Sequence, residues 1–185
     1  MLVSEIMLQQ TQVDRVIPKY RQFLRRYPTL ARLAEADARA VRRLWYPLGY
    51  NARPFRLHQI ARESVATYGG RLPDRAEELR RLPGVGRYTA GAVLAFAYGQ
   101  DVPVLDTNVR RVLGRVFLGV RGAARARGDR LFWDLAATLV PRGRGYDFNQ
   151  ALMDFGATWC GPRRPKCRPC PMRRFCASYP MPGTA

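Results

Sequence analysis

The sequence predicts an all-α protein built as two helical lobes. Apolar residues recur at helical spacing along most of its 185 residues, and no segment alternates apolar with polar residues as a half-buried strand does. Proline and glycine divide these stretches into short helices, and all four cysteines lie near the C-terminal end. We expect the first lobe to span residues 1–106 and the second, which carries the cysteines, to span residues 107–185.

Capping residues, proline and glycine set the ends of the predicted helices. Asp37 is expected to cap a helix that ends near Pro47, and Asp74 has the spacing of a capping box with Glu77. A segment rich in glycine and arginine, residues 119–128, is expected to be a surface loop. The other predicted helices cover residues 3–26, as two helices that meet before Pro18, then 55–65, 87–98, 106–117, 129–139 and 148–159.

The charge of the chain indicates a polyanionic partner. Lysine and arginine number 32 against 14 acidic residues, for a formal net charge of +18, and only Lys19 and Lys166 are lysines. In a chain with 47% apolar residues this charge favours a folded domain that binds nucleic acid, although a basic solvated surface would give the same count. No segment predicts a membrane span or a signal peptide, so we expect a protein of the cytoplasm, associated with the nucleoid. We also expect it to be a monomer.

The cysteines predict a metal centre. Cys160, Cys167, Cys170 and Cys176 are spaced C-x6-C-x2-C-x5-C, and a chain without a secretory signal seldom carries disulfides. Four thiolates suit a tetrahedral zinc ion or a 4Fe-4S cluster. Three unequal gaps in one short loop favour the cluster over zinc, and free thiols are the third alternative.

Residues 79–93 predict a helix-hairpin-helix, a motif that holds the DNA backbone without reading its sequence. Pro83 ends one helix, Gly84 and Gly86 are both expected to allow positive φ in the turn, and a new helix follows at once. The amides at the N-terminus of that helix can then donate to a phosphate. Val85 between the two glycines favours this motif over an ordinary turn between antiparallel helices.

Two carboxylates are candidates for acid–base chemistry. Asp106 stands at a predicted helix start, where an N-cap that accepts the amide of residue 108 or 109 is the simpler interpretation. Glu5 lies on an apolar helical segment, either at its rim or buried. Cleavage of a glycosidic bond needs one carboxyl group to protonate the leaving group and another to stabilise the cationic sugar. In the company of the hairpin and the cysteines, the pair favours this chemistry, in a cleft expected between the two lobes.

These motifs resemble the helix-hairpin-helix (HhH-GPD) DNA glycosylase superfamily. The resemblance rests on LPGVG at 82–86, LDTNV at 105–109 and the four cysteines, and it covers residues 2–178. SEIMLQQTQV at 4–13 and FNQALMDFGATWC at 148–160 are similar to the catalytic domain of its adenine-specific branch. The resemblance implies a base excision repair enzyme with a 4Fe-4S cluster, acting on double-stranded DNA in which adenine lies opposite 8-oxoguanine or guanine.

The resemblance also implies a role for each matching residue. Asp106 would stabilise the oxocarbenium ion, Glu5 would protonate N7 of the adenine, and Asn108 would support the aspartate. Tyr88 stands where the endonuclease III branch has its Schiff-base lysine, so a monofunctional enzyme without strand cleavage is expected. The remaining implied contacts are the wedge that fills the duplex when a base is flipped out (Gln10 and Tyr50), the phosphate grip (Pro83, Gly84, Val85, Gly86, Arg87 and Thr89) and the base pocket (Leu8 and Gln150).

Departures from the family pattern keep other functions open. Pro47 and Asn51 alter the loop beside the wedge, and Thr107 stands where the adenine branch has glycine. The chain is expected to lack family segments before its first helix and after the cysteines, among them the domain that recognises 8-oxoguanine, and Met1 is a candidate for a misassigned start. Thymine or uracil mismatch glycosylases of the same superfamily are the main alternative, because they share the tyrosine at position 88. A non-catalytic DNA-binding module is the third, although it would not need the two carboxylates.

Overall fold

The computed structural model describes residues 1–49 and 52–180, and in this part of the chain all regular secondary structure is helical. The all-α prediction is therefore confirmed. The chain divides into two compact units, Met1–Tyr98 and Gly99–Ala185. This division precedes the predicted one at residue 106, because Asp101 and Val104 form hydrogen bonds with residues of the second unit.

Residues 1–49 and 52–98 of the first unit form a bundle of seven helices. They are α1 (Leu2–Leu8), α2 (Val13–Arg26), α3 (Leu30–Ala34), α4 (Ala38–Trp45), α5 (Ala52–Tyr68), α6 (Ala76–Arg81) and α7 (Arg87–Ala97). The long helix α5 packs against α3 and α4, while α1 contacts α2, α5 and α7. Phe23 and Trp45 are fully buried and meet edge to face, with ring centroids 6.1 Å apart. This aromatic pair joins α2 to α4 in the apolar core.

Two helix starts in the first unit differ from the sequence prediction. Residues 9–12 separate the first two helices, and Pro18 lies inside α2, where it removes one backbone hydrogen bond without ending the helix. The predicted capping box at Asp74 is wrong, since α6 begins at Ala76 after an N-cap that makes no side-chain hydrogen bond. The predicted cap at Asp37 is confirmed, because its Oδ1 accepts the Ala40 N–H at 2.8 Å.

In its described part, residues 99–180, the second unit packs four α-helices and one π-helix around its own core. These are α8 (Thr107–Leu113), π1 (Gly114–Leu118), α9 (Gly119–Arg125), α10 (Arg130–Leu139) and α11 (Gly145–Thr158). Apolar residues of α8 and α10 form the core, and α11 packs against α8. No helix among the described residues is long and apolar enough to cross a membrane.

The predicted loop at residues 119–128 is wrong for most of its length, because α9 occupies its first part. A Cβ built on Gly114 of π1 would lie 2.9 Å from the Cβ of Ala123 on α9. The small side chains of Gly114 and Ala123 therefore allow α9 to pack closely on π1.

Candidate functional site

Asp106 is the N-cap of α8, and both of its carboxylate oxygens accept hydrogen bonds. Oδ1 accepts the Val109 N–H at 2.6 Å, and Oδ2 accepts from the Asn108 side-chain amide at 2.9 Å. The capping role considered for Asp106 is thus confirmed, with residue 109 as the donor. The two hydrogen bonds fix the orientation of a half-buried carboxylate at a helix N-terminus, where the helix dipole also favours its negative charge.

Asn108 is held in turn by Arg111. The Arg111 Nη2 donates to the Asn108 Oδ1 at 2.8 Å and to the Gly156 carbonyl at 2.8 Å, and its Nε donates to the Cys160 carbonyl at 2.9 Å. Because the Asn108 oxygen faces a guanidinium, its NH₂ group is left to face Asp106. A continuous chain of hydrogen bonds therefore runs from Asp106 to the first cysteine of the loop.

Close packing leaves Asn108 little freedom. A Cβ built on Gly156 of α11 would lie 2.8 Å from the Cβ of Asn108. The absence of a side chain at this position lets α11 approach α8. Sequence reasoning missed Arg111, because it is one arginine among many on an ordinary helix and no local pattern distinguishes it.

The segment that leads to Asp106 is fastened to the start of α11. Asp101 accepts the backbone N–H groups of Gly143 at 2.6 Å and Gly145 at 2.9 Å, and these two hydrogen bonds are the main cause of a lowered pKa at Asp101. Asn149 is 1% exposed; it accepts the Val104 N–H and donates to the Val102 carbonyl, both at 2.9 Å. The backbone before Asp106 is therefore held by side chains of the second unit.

Glu5 and Leu8 lie on α1 of the first unit. Glu5 is half-buried, while Leu8, at the end of the helix, is 36% exposed. Gln150, the other predicted pocket residue, is exposed on α11 of the second unit. The predicted cleft between the lobes, with Glu5 and Asp106 in it, stays a prediction.

A strained turn follows α1. Gln10 is exposed and has φ of 56°, a left-handed conformation in which residues other than glycine are uncommon. Such strain often marks a functional position. Tyr50, the second residue of the predicted wedge, lies outside the described residues.

The buried side chain of Arg53 holds this turn through hydrogen bonds. It is 4% exposed, and its Nη1 donates to the carbonyls of Met7 at 2.8 Å and Gln9 at 2.5 Å. Its Nη2 donates to the Thr11 hydroxyl at 2.9 Å and to the Leu48 carbonyl at 3.0 Å. One buried guanidinium thus connects the C-terminal end of α1 and the Gln10 turn to Leu48, which follows α4. Sequence reasoning missed this residue too.

The predicted hairpin is present between α6 and α7. Gly84 has φ of 79°, and the Val85 N–H donates to the Leu82 carbonyl at 3.1 Å to close the turn. Gly86 is extended and serves as the N-cap of α7, so of the two glycines that allow positive φ, Gly84 adopts it and Gly86 does not. A glycine N-cap leaves no side chain over the helix N-terminus, which favours approach of an anion.

The side chains of the hairpin differ in exposure. Arg87 is exposed, Pro83 and Tyr88 are half-buried, and Val85 and Thr89 are buried at 6% and 3% exposure. Any phosphate contact by Thr89 would therefore use its backbone rather than its side chain.

The four cysteines lie together in the loop after α11, and all are free thiols of intermediate exposure. Burial raises the pKa of the Cys170 thiol, and the charges of the other three cysteines raise it further. Thiolates are the ligands that a 4Fe-4S cluster takes, so the four cysteines of this loop fit such a cluster in residue type and number. As placed, the described residues contain no group of three or more His, Cys, Asp or Glu side chains that could hold a metal ion.

Arg115 of π1 holds this loop. Its Nη1 donates to the Gly161 carbonyl at 2.7 Å and lies 3.5 Å from the Cys160 Sγ, and its Nη2 donates to the Pro162 carbonyl at 2.9 Å. The carbonyl of Arg115 accepts from the Ser178 hydroxyl at 2.8 Å. Both ends of the cysteine loop are therefore anchored to one residue.

This fold and these motifs define a family. The model of the HhH-GPD superfamily base excision DNA repair proteins matches residues 3–135. The chain belongs to this superfamily. Among solved structures, a thermostable thymine-DNA glycosylase is 35% identical and superposes with a TM-score of 0.89, over 96% of this chain and 82% of that one. A non-covalent endonuclease III–DNA complex, 22% identical, has the same fold, with a TM-score of 0.82 over 95% of this chain and 80% of that one.

Curated relatives at higher identity are adenine DNA glycosylases. That of Rattus norvegicus is 46% identical over 98% of this chain, and that of Mycobacterium tuberculosis (strain CDC 1551 / Oshkosh) is 45% identical over 92%. The chain spans 35% of the length of the rat protein and 56% of the length of the mycobacterial one.

Proposed function

We propose that this chain is a DNA glycosylase domain that hydrolyses the N-glycosidic bond of adenine opposite 8-oxoguanine or guanine in double-stranded DNA. The observation that carries the proposal is the Asp106 carboxylate, held by the Val109 N–H and the Asn108 amide at a helix N-terminus. The adenine DNA glycosylases that match nearly the whole chain support adenine as the excised base.

The chemistry assigned to the site uses two carboxyl groups. Glu5 protonates N7 of the adenine, so the base leaves with the electron pair of the glycosidic bond. Asp106 stabilises the positive charge that develops on the sugar, and water then adds to the anomeric carbon. The two hydrogen bonds on Asp106 keep its charge in a fixed position, so little reorganisation is needed when the cation forms.

The proposed enzyme releases the base without cutting the strand. Imine formation needs a nucleophilic amine, and residue 88, where the lyase branch has its lysine, is a tyrosine. The chain has only two lysines. Lys19 donates to the Gln22 side chain at 3.2 Å, and the Lys166 ammonium lies 5.9 Å from the centroid of the Trp159 ring.

The cysteine loop is proposed to hold a 4Fe-4S cluster through Cys160, Cys167, Cys170 and Cys176. Hydrolysis needs no redox step, so the cluster supplies a rigid support for the loop, which has little regular secondary structure of its own. We expect protein purified without oxygen to contain about four iron atoms and to absorb in the visible range. Zinc in place of iron, or a fully folded protein without metal, would contradict this assignment.

A second candidate function is thymine or uracil mismatch cleavage. The observation that favours it is the similarity to the thermostable thymine-DNA glycosylase structure. This chain covers 82% of that protein, but only 35% of the rat adenine enzyme and 32% of the human one. The lower sequence identity, 35% against 46% for the rat adenine enzyme, favours adenine.

Single-turnover cleavage distinguishes the two functions. Four duplexes would carry A opposite 8-oxoguanine, A opposite G, T opposite G and U opposite G, each assayed with and without alkali. We expect strand breaks at the adenine duplexes, and only after alkali. Release of thymine or uracil but not adenine would establish the second candidate, and breaks without alkali would refute the monofunctional proposal.

A further inference from the structure

The C-terminal end of α2 and the helix α4 carry an exposed cluster of arginines that the proposed chemistry does not use. We call it the arginine surface; it consists of Arg25, Arg26, Arg39, Arg42 and Arg43. Three grooves of about 550, 610 and 660 Å³ run along it and share lining residues. The arginine surface is therefore a concave, positively charged region of the first unit, formed by helices other than those of the hairpin.

The five positive charges are not compensated within the described residues. None of these arginines forms an ion pair with a carboxylate of residues 1–49 or 52–180. The two acidic residues at the edge of the grooves are engaged elsewhere: Glu35 lies 3.5 Å from Arg32, and Asp37 caps α4. The helix dipoles favour Arg25, Arg26, Arg42 and Arg43, which lie in the last turns of α2 and α4, but not Arg39, which lies in the first turn of α4. The remaining mutual repulsion opposes folding unless an anion binds.

The side chains that line the arginine surface indicate which anion it binds. The groove of 610 Å³ is lined by Arg39, Arg42 and Arg43 together with Tyr46, which is 75% exposed, and Gly49. Gly49 directly precedes the predicted wedge residue at position 50. Arginine guanidinium groups suit phosphate oxygens in geometry and charge, and an exposed tyrosine can lie against a sugar or base.

We propose that the arginine surface binds backbone phosphates of duplex DNA, as a second contact in addition to the hairpin. The proposal rests on the proposed DNA glycosylase function and gives the arginine surface the backbone phosphates of the bound duplex. It supplies affinity that does not depend on sequence and is weakened by salt, and it takes no part in bond cleavage.

The test replaces Arg39, Arg42 and Arg43 by glutamine, which keeps the helix propensity of α4. A matched control replaces Arg121, Arg125 and Arg127, which lie in or beside α9 of the second unit, so that both variants lose the same net charge. Binding to an undamaged duplex of about 30 base pairs would be measured by fluorescence anisotropy between about 50 and 200 mM salt.

We expect the slope of log K against log salt to become shallower by about 0.9 for each phosphate that is no longer neutralised, or about 2 to 3 for the triple variant. The control variant should keep a steeper slope than the glutamine variant. A lysine variant, with the same three arginines replaced by lysine, should recover most of the wild-type slope.

Equal slopes for the wild type and the glutamine variant would overturn the proposal, and so would equal reductions of the slope in the glutamine variant and the control. Retained affinity for DNA with reduced affinity for vesicles of phosphatidylglycerol would also overturn it, in favour of a membrane surface as the partner. Release of adenine by the wild type tests the proposed function separately.

Discussion

At the scale of single residues, Asp106 has an observed structural task and a proposed chemical one. As an N-cap it stabilises α8 through the Val109 N–H, and in the proposed chemistry its charge stabilises a cationic sugar. Asparagine is as good an N-cap as aspartate, so the two tasks can be separated by substitution.

We expect Asp106→Asn to fold normally and to lower the rate of base release by at least about 10²- to 10³-fold, because it removes the charge that stabilises the oxocarbenium ion. Glu5→Gln should lower the same rate by about 10²- to 10⁴-fold because the acid is removed. Single-turnover cleavage and DNA binding would be measured side by side. Asp134→Asn, at an exposed helix position, serves as the control. Unchanged turnover in Asp106→Asn would refute its role.

Arg111 determines how Asn108 presents its amide to Asp106. We expect Arg111→Lys to keep DNA affinity but to lower the single-turnover rate about tenfold, because one ammonium group cannot replace a fork that binds two carbonyls and an amide oxygen. Asn108→Ala should lower the rate as well. The double variant should be no slower than the worse single variant, since both changes break one chain of hydrogen bonds. Arg110→Lys, which alters a neighbouring arginine bound to Asp129, is the matched control; additive effects would show that the two residues act independently.

At the scale of elements, Arg53 connects α5 to the end of α1. It satisfies carbonyl groups that the last turn of a short helix leaves without donors. We expect Arg53→Met to lower the free energy of unfolding by several kcal/mol, at about 1–3 kcal/mol for each buried carbonyl left without a donor. Arg53→Lys should recover part of this stability. Urea unfolding would measure both against Arg62→Met, an exposed position on the same helix; an equal effect at both positions would contradict the role of Arg53.

Asp101 fastens the segment before α8 to the start of α11 and should make the protein sensitive to acid. Its pKa is lowered chiefly by the Gly143 and Gly145 amides, so the stabilisation is present above the ordinary aspartate pKa and is lost as the pH falls through the lower, folded-state value. We expect the unfolding temperature of the wild type to fall more steeply below about pH 4 than that of Asp101→Asn. Parallel pH profiles for the two proteins would rule out this linkage.

Sequence reasoning succeeded for elements whose signal is local. Asp37 and Asp106 cap helices because an N-cap needs only the next few residues, and the hairpin follows from the order of proline and glycine around residue 84. Sequence reasoning failed where packing between helices determines the local structure. The glycines and arginines of residues 119–128 indicated a loop, but residues 119–125 form a helix that packs closely on π1.

At the scale of the whole molecule, the sequence by itself determined the all-helical class, the superfamily, the candidate carboxylates and the four cysteines, since each depends on residue identity and spacing. Its charge of +18 predicted a polyanionic partner but could not say which arginines would meet one. Only the tertiary structure showed that the arginines have different roles. Arg111 supports Asn108, Arg115 holds the cysteine loop and Arg53 supports the Gln10 turn. The arginines of the arginine surface are left without a carboxylate partner among the described residues. Arginines are alike in sequence, and the role of each is set by the carbonyl groups, carboxylates or solvent that folding brings to it.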